Sequence, residues 1–210
     1  YDYIAESKDL PYERIEALNQ IQEMKTGIVV TTIEAVSQKI ITKEALYKNI
    51  LEFKIGNEYK LEDVKQKLIE LGYVRYDLID GRGQFSVRGG IVDVSITDKK
   101  GIRIEFWGDV VDSIRYFNII SQRSTENTQE ATIYPAHEYI LETDIPTVIS
   151  KIEKTIYNDN LQEQVKQDIE IIRNGNYISK IDKYMNSFYE QQATILDYLN
   201  EKFIIAIDEM

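Results

Sequence analysis

The sequence predicts an α/β fold that carries an inserted α+β domain, and three observations lead to this fold class. Near both ends of the chain, apolar residues recur with the period of a helix, as at Ile15, Leu18 and Ile21. Short apolar runs that suit buried strands accompany these helices. Between them, apolar and polar residues alternate with the period of two that a half-buried strand requires. The predicted parts are a first α/β segment, an inserted α+β domain and a returning α/β segment, at residues 1–48, 49–141 and 142–210.

The first segment is predicted to run helix, strand, helix. Apolar residues at helical spacing indicate a helix over residues 11–24, and Gly27 is placed to end it. The apolar run Ile28–Thr32 then predicts a short buried strand. Residues 33–40 resume the helical spacing and predict a second short helix.

The inserted domain is predicted to begin with a strand, a turn and an amphipathic helix. The strand covers Ile50–Ile55, and Gly56-Asn57 suits the turn that follows. The helix after this turn places Val64 and Leu68 on one face. A β-rich segment then extends to Ile140.

Alternation defines the first strand of the β-rich segment, over residues 85–94. Phe85 and Val87 point to one face and Arg88 to the other, so we expect one buried face and one wet face. The pattern changes at Gly89-Gly90, where Ile91 keeps the phase of Val87 but both faces become apolar. This change predicts a bulge or a bend within the strand.

Two further strands are predicted over residues 102–107 and 110–117. Gly108-Asp109 between them suits a two-residue hairpin turn with glycine first. The polar stretch Ser121–Gln129 predicts a loop. After Pro146 the chain is predicted to return to helices, and the run Phe203–Ile207 predicts a buried strand that ends at Asp208-Glu209.

Composition limits the class of protein. Hydrophobic residues make up 43% and charged residues 29%, as in an ordinary globular protein. No apolar run approaches the ~20 residues of a membrane-spanning helix, and the first residues lack the features of a signal peptide, so we expect a cytoplasmic protein. The absence of cysteine excludes disulfides, thiolate catalysis and zinc-thiolate sites. A chain that starts at Tyr1 without methionine suggests a piece of a longer protein.

Charge and motifs also exclude several activities. The formal net charge of -11 argues against a free-standing binder of duplex DNA, because phosphate neutralisation by basic residues supplies most non-specific affinity. No G-x-x-x-x-G-K-[ST] string is present to hold nucleotide phosphates. His137 is the only histidine, so a His-based metal cluster is excluded. We therefore expect no catalytic residue, no cofactor and no metal site in this chain.

Four arginines remain as candidates for function: Arg75, Arg82, Arg88 and Arg103. The planar guanidinium binds carboxylates through two parallel hydrogen bonds and therefore suits protein interfaces. The alternative is internal pairing, for instance of Arg88 or Arg103 with Glu105, and the residues alone leave the two interpretations equal.

The sole tryptophan, Trp107, also leaves two interpretations open. On a regular strand it lies on the face of Arg103 and Glu105, where a half-exposed tryptophan can anchor a partner. It can equally cover the bend beside Gly108.

The segment from residue 72 to residue 138 carries motifs that resemble two protein families of bacterial nucleotide excision repair, UvrB and Mfd. The motifs GY-x-R, G-x-F-x-V-R-G-G and R-I-E-F-x-G-D stand at residues 72–75, 83–90 and 103–109. UvrB usually has R-G-D at the place of Arg88-Gly89-Gly90, whereas S-Q-R-[ST] and P-A-H-E, similar to Mfd, occur later in the segment. The chain therefore resembles Mfd, the transcription-repair coupling factors, first and UvrB second.

The resemblance to Mfd implies a degenerate helicase-like scaffold, related to P-loop NTPases, with an inserted domain that binds UvrA. It implies a non-catalytic module that recruits UvrA to stalled transcription complexes. The longer protein would bind ATP and magnesium elsewhere, and would contact RNA polymerase and double-stranded DNA through other domains. The alternative resemblance, to a fragment of the ATP-dependent damage-verification subunit UvrB, implies motif acids at Asp208 and Glu209.

Carried over residue by residue, the resemblance assigns the contact with UvrA to six residues at matching motif positions. Ser86 departs from the pattern, because UvrB has a further arginine there, which puts direct transfer of the UvrB contact in doubt. The six assigned residues are Arg75, Arg82, Arg88, Gly89, Arg103 and Glu105.

Overall fold

The computed structural model describes residues 10–137, 145–154, 162–173, 181–189, 191, 193–199 and 202–208. The chain divides into two compact units, Tyr1–Ile15 with Ala45–Leu141 as unit 1 and Glu16–Glu44 with Glu142–Met210 as unit 2. Helices and sheets both occur, so the mixed α and β content that the sequence predicts is confirmed. The insertion of residues 49–141 into an α/β scaffold stays a prediction.

Helices dominate both ends of the described chain, and strands dominate its middle. The α-helices are α1 (Leu10–Glu23), α2 (Ile33–Ser37), α3 (Lys43–Lys48), α4 (Leu61–Glu70), α5 (Ile145–Lys154), α6 (Gln162–Arg173) and α7 (Met185–Phe188), with 3-10 turns at Ile181–Tyr184 and Ile195–Tyr198. The strands are β1 (Leu51–Lys54), β2 (Val74–Arg75), β3 (Gln84–Arg88), β4 (Ile91–Ser95), β5 (Lys100–Trp107), β6 (Val110–Asn118), β7 (Ser124–Thr128) and β8 (Glu130–Ile133).

A six-stranded sheet forms the centre of unit 1, and its strand order follows the chain from β2 to β7. β2 runs parallel to β3, and every later pair is antiparallel. The antiparallel pair of β1 and β8 forms a second, two-stranded sheet. Apolar residues of α4 and of both sheets share one core, which includes Phe53, Val64, Leu68, Phe85 and Ile104.

Helix α4 forms and ends for local reasons. Glu62 and Asp63 stand in its first turn and Lys67 in its last, and at these positions each charge interacts favourably with the helix dipole. At its end the Gly72 N–H donates to the Ile69 carbonyl, and the Tyr73 N–H donates to the Leu68 carbonyl, which is the Schellman pattern. Gly72 has a φ of +87°, a conformation that glycine adopts without strain. The helix therefore stops where the chain must turn into β2.

Gly89-Gly90 is a hairpin turn between two strands, so the prediction of a bulge or bend within one strand was wrong. Val92, not Ile91, pairs with Val87, because reversal of the chain over two residues changes the parity of the alternation. Val92 and Val94 consequently lie in the core, and Ile91 shares the face of its partner Arg88.

The predicted loop at residues 121–129 was also wrong in part, since Ser124–Thr128 forms β7 at the edge of the sheet. Its polar composition suits an exposed edge strand, which explains why the pattern suggested a loop. The hairpin turn at Gly108-Asp109 is confirmed, with Gly108 at a φ of +62° between β5 and β6.

The alternation predicts that the second face of the six-stranded sheet is exposed to solvent, but part of this face is buried. Ile79, Phe117 and Ile119 form a small core there, under the segment that joins β2 to β3. The Gln122 amide donates to the carbonyls of Ile79, at 3.3 Å, and Ile119, at 2.6 Å, and so fastens this segment to the sheet. Ser86, Asp93 and Ser95 are buried on the same face.

Unit 2 consists of helices joined by specific polar contacts. Ile40 and Ala193 exchange two backbone hydrogen bonds of 2.9 and 3.0 Å, and the Tyr198 hydroxyl donates to the Ile41 carbonyl. Asp168 on α6 accepts hydrogen bonds from the Lys183 ammonium and the Tyr184 hydroxyl. These bonds satisfy the buried hydroxyl groups of Tyr184 and Tyr198 and the carboxylate of Asp168.

Both buried strands predicted for the α/β segments were wrong. Residues 28–32 and 203–207 form no strand, and their apolar side chains are exposed, to 90% at Ile28 and 97% at Ile204. A strand is stable only when a neighbour satisfies its backbone groups, and the described part of the chain supplies no neighbour to either segment. Residue 138, where the motif segment ends, and also Ile140 and Glu209 lie outside the described residues.

Candidate protein-interaction face

Asp93 is the centre of the polar network on the second face of the sheet. Its side chain is 0% exposed, and two guanidinium groups hold it. Arg103, from the neighbouring strand β5, donates from Nε and Nη2 at 2.6 and 2.8 Å, and Arg88, from β3, donates from Nη2 at 2.6 Å. We call the sheet face that carries Arg88, Asp93, Arg103 and Glu105 the Asp93 face.

The two arginines of the Asp93 face differ in their environment. The Arg103 side chain is largely buried and stacks 4.7 Å above the Phe117 ring, and its hydrogen bonds to Asp93 raise the pKa of the guanidinium. The Arg88 side chain is 44% exposed. Two guanidinium charges against one carboxylate leave one net positive charge, and Arg88 presents it to solvent.

Glu105 lies beside this network and has internal partners of its own. It accepts a 2.9 Å hydrogen bond from the Ser113 hydroxyl and forms an ion pair with Arg115. The sequence alternative that Arg88 and Arg103 pair within the chain is correct. Glu105, the partner suggested for them, is wrong, because both arginines bind Asp93.

The hairpin turns at 89–90 and 108–109 lie at the same end of the sheet. The Phe106 N–H donates to the Gly90 carbonyl at 2.7 Å, and a Cβ on Gly90 would lie 2.6 Å from the Phe106 carbonyl oxygen. Glycine at 90 therefore permits the close approach of the two strands. Trp107 follows Phe106, and its side chain is 84% exposed, so it does not cover the bend beside Gly108.

The structure brings together four of the six predicted site residues, Arg88, Gly89, Arg103 and Glu105, and separates the other two. Arg75 is exposed on edge strand β2 and is aligned with Phe85, whose side chain points to the core face. Arg82 precedes β3 at the opposite end of the sheet from Gly89 and lies 3.8 Å from Asp98.

Sequence reasoning missed two residues of the Asp93 face, Asp93 itself and Arg115. The available signal was a single acid between Val92 and Val94, in the apolar run from Ile91 to Val94. The glycine turn puts Asp93 on the sheet face of Arg88. The registers of the next two strand pairs then place Asp93 opposite Arg103, and Arg103 opposite Arg115.

Other chemistry is sparse in the part of the chain that the structure describes. No group of three or more acidic, histidine or cysteine residues there is arranged to hold a metal ion. His137 packs against Gly72, and burial lowers its pKa to about 4, so it is neutral at pH 7. Asp208 is exposed and lies outside any strand. No described helix has the length and apolarity that crossing a bilayer requires.

Comparison with known proteins supports the motif analysis. Residues 51–139 match the family model described as the UvrB interaction domain, which spans the strands of both sheets. The chain is 28% identical over 97% of its length to the transcription-repair-coupling factor of Bacillus subtilis. It is 27% identical over 99% of its length to the transcription-repair-coupling factor of a bovine strain of Staphylococcus aureus. The resemblance to the coupling factors is thereby confirmed, and the chain spans about a fifth of the length of these relatives, 18% and 19%.

Proposed function

We propose that this chain is the non-catalytic part of a transcription-repair coupling factor that binds UvrA, and that it does so through the Asp93 face of unit 1. The observation that carries the proposal is the match of residues 51–139 to the UvrB interaction domain. Within that domain, Arg88 and Gly89 stand at the exposed margin of a network built around a fully buried acid.

The construction of the Asp93 face supports a role in binding. A buried carboxylate held by two arginines is costly to assemble and contributes little net stability, so its value lies in fixing the side chains around it. Arg103 is held at the base of the network and Arg88 at its surface. A fixed guanidinium loses less conformational entropy on binding than a mobile one, which favours recognition of a carboxylate on UvrA.

The proposal also assigns roles to the other segments of this chain and to the rest of the longer protein. Residues 1–48 and 142–210 would form the degenerate helicase-like scaffold around the inserted domain. Binding of ATP and magnesium, and contacts with RNA polymerase and double-stranded DNA, would belong to other parts of the protein. Recruitment of UvrA to stalled transcription complexes would follow from joining these parts in one molecule.

Calorimetric titration of the chain with UvrA tests the proposal. We expect Arg88→Ala to weaken binding by about 1–3 kcal/mol, because it removes an interface guanidinium and leaves Asp93 paired with Arg103. The resemblance predicts the same direction for Arg75→Ala. Arg123→Ala is the matched control, since Arg123 is exposed in the turn between β6 and β7 and makes no ion pair within the described residues. Unchanged affinity for Arg88→Ala would refute the Asp93 face, and unchanged affinity for Arg75→Ala as well would refute the whole surface that the resemblance assigns.

A further inference from the structure

Trp107 is the most exposed aromatic side chain among the described residues, at 84%. Tryptophan carries a large apolar area that proteins bury on average. It contributes nothing to the core of unit 1, because the core side of β5 is filled by Ile102, Ile104 and Phe106. Its position therefore has no explanation in the stability of the unit.

The backbone that carries Trp107 is firmly fixed. Trp107 pairs with Val110 across the hairpin of β5 and β6. The tip of this hairpin is bonded to the segment after β1, since the Tyr59 N–H donates to the Asp109 carbonyl at 2.7 Å and the Val111 N–H donates to the Asn57 carbonyl at 3.0 Å. An exposed indole on a fixed hairpin loses little freedom when a partner covers it.

Trp107 is continuous with the Asp93 face. It is two residues beyond Glu105 on β5, so the two side chains leave the strand on the same side. Extension of the β4–β5 register past Ile91 and Glu105 places Gly89 opposite Trp107. Gly89 has no side chain and borders open space, which leaves that side of the indole accessible.

We propose that Trp107 is the apolar anchor of the partner-binding surface, inserted into an apolar pocket of UvrA whose rim carries an acid for Arg88. This inference rests on the proposed function and adds a residue that the motif comparison does not assign. A central aromatic surrounded by charged side chains is the usual composition of a binding hot spot. Arg88 precedes Gly89 and carries the surplus positive charge of the Asp93 network, so it offers a guanidinium to a carboxylate on the rim of that pocket.

Affinity measurements on three proteins test this inference: the parent chain, Trp107→Ala and Ile120→Ala. Ile120 is the matched control, because it is also exposed, at 77%, but lies beyond the opposite end of β5, in the turn after β6. We expect Trp107→Ala to bind UvrA about 30-fold or more weakly, with an unchanged melting temperature, and Ile120→Ala to bind as the parent does.

A second measurement reports burial directly. Trp107 is the sole tryptophan, so labelling the chain with 5-fluorotryptophan gives one fluorine resonance, which we expect to shift or broaden when UvrA is added. Binding of UvrA by the parent with unchanged affinity of Trp107→Ala would overturn the inference and leave the proposed function intact. Failure of the folded parent to bind UvrA would overturn the proposed function and this inference with it.

Discussion

At the scale of single residues, Asp93 decides how the neighbouring charges are used. A fully buried carboxylate in a sheet is stable only if each oxygen is bonded, and Arg103 alone reaches both oxygens. Arg103 is therefore primarily a structural residue, although the motif comparison assigns it to the interface. Arg88 bonds one oxygen of Asp93 and remains partly exposed, so it both stabilises Asp93 and is accessible to a partner.

This division of roles predicts unequal effects on stability. Arg103→Met should lower the free energy of unfolding by about 3–5 kcal/mol, because it leaves Oδ1 of the buried Asp93 without its hydrogen bond from Arg103. Arg88→Met, the matched substitution at the more exposed arginine, should cost about 1 kcal/mol or less, because Arg103 still bonds both oxygens of Asp93. Urea denaturation of the two variants and the parent makes the comparison. Equal losses for both would show that Asp93 does not depend chiefly on Arg103.

At the scale of elements, the segment between β2 and β3 depends on one glutamine. Gln122 has a φ of +57°, unusual for a residue with a side chain, and its amide donates to two carbonyls that secondary structure leaves unbonded. This contact gives the S-Q-R-S motif at residues 121–124 a structural role. Its glutamine holds residues 76–83 over the small core of Ile79, Phe117 and Ile119.

Removal of this amide should loosen the segment without unfolding the sheet. We expect Gln122→Ala to reduce stability by about 1–2 kcal/mol through the lost hydrogen bonds, and to speed amide exchange in residues 78–82. Gln129→Ala, at an exposed glutamine between β7 and β8, serves as the control. Exchange in residues 78–82 that is the same in all three proteins would contradict this role.

Elements also show where sequence patterns succeed and fail. Helices α1 and α4 and strands β5 and β6 were predictable, since Gly27 and Gly72 follow the apolar period of the two helices and Gly108 marks the turn between the two strands. Strand β7 was not, because an exposed edge strand has the polar composition of a loop. The hairpin at Gly89-Gly90 was missed because a two-residue turn and a bulge produce the same break in alternation.

For the candidate site, the sequence located the strands and most of the arginines but not their partners. Pairing in a sheet depends on register. Because the hairpin at Gly89-Gly90 was interpreted as a bulge, Ile91 was assigned to the wrong face and Asp93 was not recognised as the partner of the arginines. The separation of Arg82 from Arg88 was equally invisible, because five residues of extended strand carry the two to opposite ends of the sheet. A motif that is compact in sequence is therefore not a compact surface.

At the scale of the whole molecule, the two units differ in how completely they bury their apolar residues. Unit 1 closes its core with a helix and two sheets. In unit 2, Ile28, Val30, Ile204 and Ile207 are exposed in segments of strand-like composition. The sequence predicted buried strands there because composition alone does not reveal whether a neighbouring strand exists.

The central claim, that the Asp93 face of unit 1 binds UvrA, is tested most directly by hydrogen exchange of the whole chain with and without UvrA. The amides of the turns at 89–90 and 107–109 are the informative ones, because they lie beside Arg88 and Trp107 and exchange faster than the amides of the sheet. We predict that UvrA slows exchange at both turns and leaves helix α6 of unit 2 unchanged. Protection confined to other regions, or none at saturating UvrA, would contradict the claim.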